Sequence, residues 1–158
     1  MSNRIKKKYG DLADIVFKVI IKVPNGRIEK NVSTEIDIDY DLIQEQLSET
    51  PSLFAFWNSI LADQRKSVAI IKRQILRRRS LLIRSYFDTA DSSGSRISKW
   101  QADELVESDD KMLELKAKEI EEEFLLSKIW NVVDSLRMKS EHLRSLAGFK
   151  KQELRDSG

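Results

Sequence analysis

The sequence contains no cysteine and a single histidine, His142. Disulfides, thiol chemistry, cysteine-ligated zinc and histidine-pair metal sites are therefore excluded. Glycine and proline are scarce, at five and two in 158 residues. Gly26, Gly94 and Gly148 stand alone and form no phosphate-cradling loop. No run approaches the roughly 18 apolar residues of a membrane span, and the apolar segment Asp14 to Val23 is interrupted by Lys18 and Lys22. The N-terminus also lacks the pattern of a signal peptide. These absences predict a soluble, intracellular protein. His142 lies beside Glu141 in a charged stretch, and no nucleophile–base constellation accompanies it. Adjacent glutamates on one helix point in different directions, so Glu121, Glu122 and Glu123 do not converge on a metal. The expectation is a protein that is not an enzyme, with no cofactor and no metal.

What the chain does have is charge, 34% of its residues, and that charge is segregated. Residues 1–34 carry +5, 35–64 carry −7 and 65–84 carry +8. Residues 85–100 are neutral, 101–123 carry −7 and 124–158 carry +3, leaving a net charge of +2. Few helix breakers and many charges favour long helices with wet faces. Blocks of opposite sign can meet when such a chain folds back on itself.

The most informative block, Arg65 to Arg84, reads RKSVAIIKRQILRRRSLLIR: eight basic residues and no acidic one. Val68, Ile71, Ile75 and Leu82 recur at the steps of one buried helical face. At about 100° per residue, Lys66, Arg73, Arg77 and Arg84 lie roughly 140–180° from Val68, on the side away from the core. Arg65, Lys72 and Arg79 flank the seam instead, and Arg78 falls between the two sets. A stripe of this kind is either a solvated face, with partners in the Glu121–Glu123 block, or a track for a nucleic-acid backbone. The angular separation favours the track for Lys66, Arg73, Arg77 and Arg84. These four cannot easily reach a neighbouring helix, and exposed ion pairs contribute only about 0–1 kcal/mol each.

The run ADIVFKVIIKV, then Pro24-Asn25-Gly26, then RIEKNVSTEIDI predicts a β-hairpin with strands near 14–23 and 27–33. Asp39 is a candidate cap for a short helix over DLIQEQLSE that stops before Pro51. Thr50 and Pro51 then suit the N-cap and first position of a long helix from about Ser52 to Phe87. Residues 88–98 read as a loop around Gly94. Ser98 caps a short helix over KWQADELVES, and Asp109 or Asp110 starts a final helix reaching about Leu154. In that helix Leu113, Ala117, Ile120 and Phe124 form an apolar stripe that drifts to Ile129, Val133, Leu136 and Leu143. The two long helices should pack antiparallel. Trp100 and Trp130 read as core. Phe54, Phe56 and Trp57 read either as intramolecular core or as an oligomer contact, and the small interior of a two-helix unit favours the second.

The fold class that follows is mainly α. It is a long antiparallel helical hairpin with short flanking helices and a small N-terminal β-hairpin, assembling as a homo-oligomer. Residues 1–35 form the basic hairpin extension and residues 36–158 the helical hairpin domain.

Four segments in this order resemble the bacteriophage UvsY-type recombination mediators. They are IDIDYDLIQEQLSE, PSLFAFWNSILADQRKSVAIIKRQILRRR, LLIRSYFDTADSSG and the stretch from ISKWQADELVESDD to FKKQEL, together covering about residues 36–154. The resemblance implies a homo-oligomeric, helical protein that binds single-stranded DNA. It also implies help in loading a recombinase onto DNA covered by a single-stranded-DNA-binding protein, in the cytoplasm of the infected host. The family's DNA-contacting zone maps onto Arg77, Arg78, Arg79 and Arg84 ahead of Tyr86 and Phe87. Leu81 and Ile83 stand where basic residues would be aligned. Residues 1–34 have no counterpart. With the face analysis, the candidate nucleic-acid contacts are Lys66, Arg73, Arg77, Arg78, Arg84 and Tyr86. The alternative is a non-enzymatic oligomeric adaptor that binds a protein partner, its hairpin adding a strand to a partner sheet.

Overall fold

The computed structural model describes residues 18–23 and 26–156. Strands β1 (Lys18–Val23) and β2 (Gly26–Asn31) pair antiparallel, with Val23 opposite Gly26 and Lys18 opposite Asn31. The predicted strand residues 14–17 and the turn at Pro24-Asn25 lie outside the described residues. Four helices follow: α1 (Val32–Ile36), α2 (Ile43–Ser92), α3 (Lys99–Glu107) and α4 (Asp110–Asp156). The chain divides into two compact units. One runs to Ile60 and resumes at Lys128, and the other spans Leu61–Ser127.

The first unit is built on the period of its elements. Val19 and Ile21 alternate with exposed Ile20, so one face of the hairpin is buried. Ile43, Trp57, Ile129, Val132, Leu136 and Leu143 supply the helical part of its core. β2 ends at Asn31, two residues earlier than predicted. There the Asn31 side chain accepts hydrogen bonds from the Ser33 amide at 3.2 Å and the Ser33 hydroxyl at 2.6 Å, capping α1.

α2 overrides the predicted break at Pro51, which lies inside the helix. Thr50 is not an N-cap. Its hydroxyl donates backward to the Gln46 carbonyl at 2.6 Å, and the residue is buried. Proline removes one helical donor, but burial of Ile43 and Thr50 holds the preceding turns in place. Asp39 does not cap the helix itself; its carboxylate accepts from the Asp41 amide at 2.9 Å, making a turn ahead of Ile43.

α2 also outlasts its predicted end at Phe87. It terminates in a Schellman arrangement, with the Ser95 amide bonded to the Ala90 carbonyl at 2.9 Å and the Gly94 amide to that of Asp91 at 3.2 Å. Gly94 sits at φ 70°, the left-handed region that a residue with a Cβ enters at a cost. α3 opens as predicted, on a capping box in which Ser98 and Gln101 satisfy each other's backbone amides. Asp109 caps α4 by accepting from the Met112 amide at 2.9 Å.

Candidate nucleic-acid interface

The second unit positions the basic block. Leu61, Val68, Ile71 and Ala90 are buried on α2, as are Ala102 and Val106 on α3 and Met112 on α4. Polar contacts set the register between α2 and α4. The Gln64 amide donates to the Glu122 carbonyl at 3.0 Å and to its carboxylate at 2.6 Å. Lys72 reaches Glu123 at 2.7 Å, and Arg78 grips Asp109. From Gln64 to Arg78 the partner on α4 moves back from Glu122 to Asp109, so the helices run antiparallel, as the short connection between them predicted.

These contacts sort the cations. Arg78 forms a two-pronged pair with Asp109, Nε to Oδ1 at 3.1 Å and Nη2 to Oδ2 at 2.7 Å. This hydrogen bonding holds the Asp109 carboxyl below its usual range and raises Arg78. Arg79 pairs with Asp103 at 2.8 Å, and Lys72 also lies 4.0 Å from Glu119. The bond to Glu123 raises the Lys72 pKa. Two of the three seam-flanking residues thus serve internal pairing; the third, Arg65, is exposed.

Lys66, Arg73 and Arg77 are exposed and pair with no carboxylate among the described residues. Arg84 lies 3.8 Å from Asp88 one turn on, with both side chains mostly in water, a contact of little energetic weight. The result is an exposed cationic rail of Lys66, Arg73, Arg77 and Arg84. Arg78 shares the block but is held by Asp109. Tyr86 is half-buried, and its hydroxyl donates to the Leu105 carbonyl at 3.5 Å, tying α2 to α3.

Trp57 is fully buried and donates from Nε1 to the Glu35 carboxylate at 2.6 Å, so it has no surface left for a second copy. Phe54 is half-buried, and exposed Phe56 packs its ring edgewise on Trp57 at 5.7 Å between centroids. Trp100 and Trp130 are not core; they are 70% and 50% exposed. In α3 the buried side is Ala102 and Val106, and Trp100 falls on the opposite side at roughly 160° from Ala102. Leu113, Ile120 and Phe124 are likewise exposed, while neighbouring Met112 is buried. At the start of α4 the interior face therefore lies one residue away from the apolar stripe read in the sequence, whereas further on Ile129, Leu136 and Leu143 are buried as read.

The sequence reading passed over Ile70 and did not place Leu81 on the cationic face. Both lie within about 40° of Arg77 on the cationic face and are exposed. The same angular arithmetic that located the rail would have found them. It also missed Lys139, buried with its ammonium donating to the Glu35 carbonyl at 2.9 Å. Among the described residues, no three His, Asp or Glu side chains gather to hold a metal ion, and no helix is long and apolar enough to cross a membrane.

The chain is similar to crystal structures of the bacteriophage T4 recombination mediator protein UvsY. One lattice form is 13% identical with a TM-score of 0.60, covering 77% of this chain and 92% of the other. A second is 14% identical at the same TM-score, covering 77% and 95%. At this identity the likeness establishes the shared fold. No protein-family profile and no curated protein sequence matches the chain.

Proposed function

We propose that this protein is a non-enzymatic phage recombination mediator. In this reading it binds single-stranded DNA as a homo-oligomer in the host cytoplasm and helps a recombinase load onto DNA held by a single-stranded-DNA-binding protein, in recombination, repair and replication. The observation that carries the reading is the sorting of the basic block within a fold shared with UvsY. Lys72, Arg78 and Arg79 are occupied by carboxylates, whereas Lys66, Arg73 and Arg77 are held open to solvent on one face. Releasing condensed counterions from phosphates gives such a rail a driving force that solvated surface charges lack. Repetition of the rail around an oligomer would multiply modest contacts. Exposed Leu113 and Ile120 support self-association.

The test is functional. A phage recombinase is assayed for DNA-dependent ATP hydrolysis on single strands pre-covered with a single-stranded-DNA-binding protein. Adding the wild-type chain should shorten the lag, and Arg73→Glu with Arg77→Glu should not. A wild-type chain that neither shortens the lag nor binds oligo-dT at low salt refutes the proposal.

A further inference from the structure

The cationic rail offers phosphate contacts but no open ring. Tyr86, the aromatic that follows the basic block, is half-buried, and its hydroxyl is held by the Leu105 carbonyl at 3.5 Å. A surface for single strands combines cations that follow the backbone with a ring on which a base can stack. In the unit Leu61–Ser127 such a ring stands on α3. Trp100 is 70% exposed and has no ring contact or hydrogen bond to its side chain among the described residues. Arg96 and Lys99 precede it, both exposed and neither paired with a carboxylate among the described residues. Of the carboxylates that follow, Asp103 is bound to Arg79 at 2.8 Å and Glu107 to Lys116. Glu104, about 40° around the helix from Trp100, is exposed and has no cation partner among the described residues. Two open cations thus stand near the ring against one open carboxylate.

We infer that Trp100 is a base-stacking platform for single-stranded DNA, set beside the far half of the rail; the inference rests on the single-stranded-DNA reading of that rail. The bond from Arg79 to Asp103 fixes the first turns of α3 against the basic block of α2. Trp100 lies three residues before Asp103, about 4.5 Å along the helix axis. On α2, Arg77 and Arg84 flank Arg79 at about 3 and 7.5 Å along the axis. The ring therefore stands beside the part of the rail that these two arginines form. Charge favours a strand over an apolar protein surface as the occupant. A protein face covering the ring would strip water from Arg96 and Lys99 without pairing them, which costs free energy. A polyanion is attracted by both. Glu104 repels a phosphate backbone on its own side, so the strand approaches the ring from the side of Arg96 and Lys99. Every base has a π-face, so a lone indole adds affinity without selecting sequence.

The experiment uses the full chain, with circular dichroism and sedimentation velocity to match the helicity and assembly of each variant to wild type. Trp100→Ala should weaken binding of a short oligo-dT about 10-fold. The salt slope should stay as in wild type, because a stacked base releases no counterions. Trp100→Phe, which keeps a ring, should recover most of the affinity. A strand of equal length with abasic sugars in place of thymidines carries the same phosphates and no base. On that strand wild type and Trp100→Ala should bind alike. Oligo-dT should also quench the intrinsic fluorescence of wild type and of Trp130→Phe, but not that of Trp100→Phe, since Trp57 is buried. Wild-type affinity for oligo-dT in Trp100→Ala overturns the stacking role and leaves the rail's reading standing. A loss on the abasic strand as large as that on oligo-dT overturns it too, since the ring would then act through the fold and not on a base. If wild type binds no oligo-dT at low salt, the single-stranded-DNA reading falls and the platform with it.

Discussion

Neutralising Arg73 and Arg77 to glutamine should halve the salt dependence of single-stranded-DNA binding. Four exposed cations line the rail, Lys66, Arg73, Arg77 and Arg84. If each neutralises one phosphate, the log–log slope of affinity against salt is about −2.8 per protomer engaged, at about −0.7 per phosphate. Affinity then falls about 50-fold between about 50 and 200 mM salt. Removing two of the four brings the slope to about −1.4 and the loss over the same range to about 7-fold. Lys72→Gln with Arg79→Gln removes the same formal charge, but from residues already held by Glu123 and Asp103. That pair should leave the slope unchanged, since a cation with a carboxylate partner has few counterions to give up. Fluorescence anisotropy of a labelled oligo-dT, titrated with salt at constant pH, reads both slopes. The reasoning is refuted if the Lys72/Arg79 variant loses the slope while the Arg73/Arg77 variant, equally helical, keeps it.

Three further outcomes concern stability. Gly94→Ala should cost about 1 kcal/mol in denaturant unfolding, because the left-handed conformation at φ 70° penalises a Cβ that otherwise meets open space; an unchanged midpoint would contradict this. Lys139 has its pKa lowered from 10.5, first by desolvation. The unfolded chain therefore binds more protons across the window from that lowered pKa up to 10.5, and stability should rise with pH through it. Lys139→Met should flatten that rise in thermal melts run at a series of alkaline pH values. Asp109 has its pKa lowered from 3.8, first by its bond to Arg78, so its stabilising contribution is present above 3.8 and lost as pH falls through the folded-state value. Asp109→Ala should lower the melting temperature at neutral pH and close the gap to wild type in acid, where the wild-type carboxylate is protonated too.

Local features were legible in the sequence because they depend on neighbours in the chain. The capping box at Ser98, the Asp109 cap and the hairpin's Asn25-Gly26 signal are read over a few residues. The cationic rail is an angular property of one helix, and it holds for any straight helix whatever packs against it. So the helical hairpin, its antiparallel sense and the position of the rail were determined by the sequence alone.

Other features required the partner element. Pro51 carries a local stop signal, yet tertiary burial of Ile43 and Thr50 outweighs it and α2 runs on. An apolar stripe in a sequence does not say which side of it faces in. On α4 the interior takes Met112 and leaves Leu113, Ile120 and Phe124 outside, and on α3 it takes Ala102 and Val106 and leaves out Trp100. Periodicity fixes spacing to within a residue or so, and one residue turns a helix by about 100°. The division of the basic block was decided in the same way. Arg77, Arg78 and Arg79 are consecutive and chemically identical, but only the last two meet Asp109 and Asp103. Which arginine is held and which is left to solvent depends on the register of α2 against α3 and α4, and that register is set by the packed core, not by any residue in the block itself.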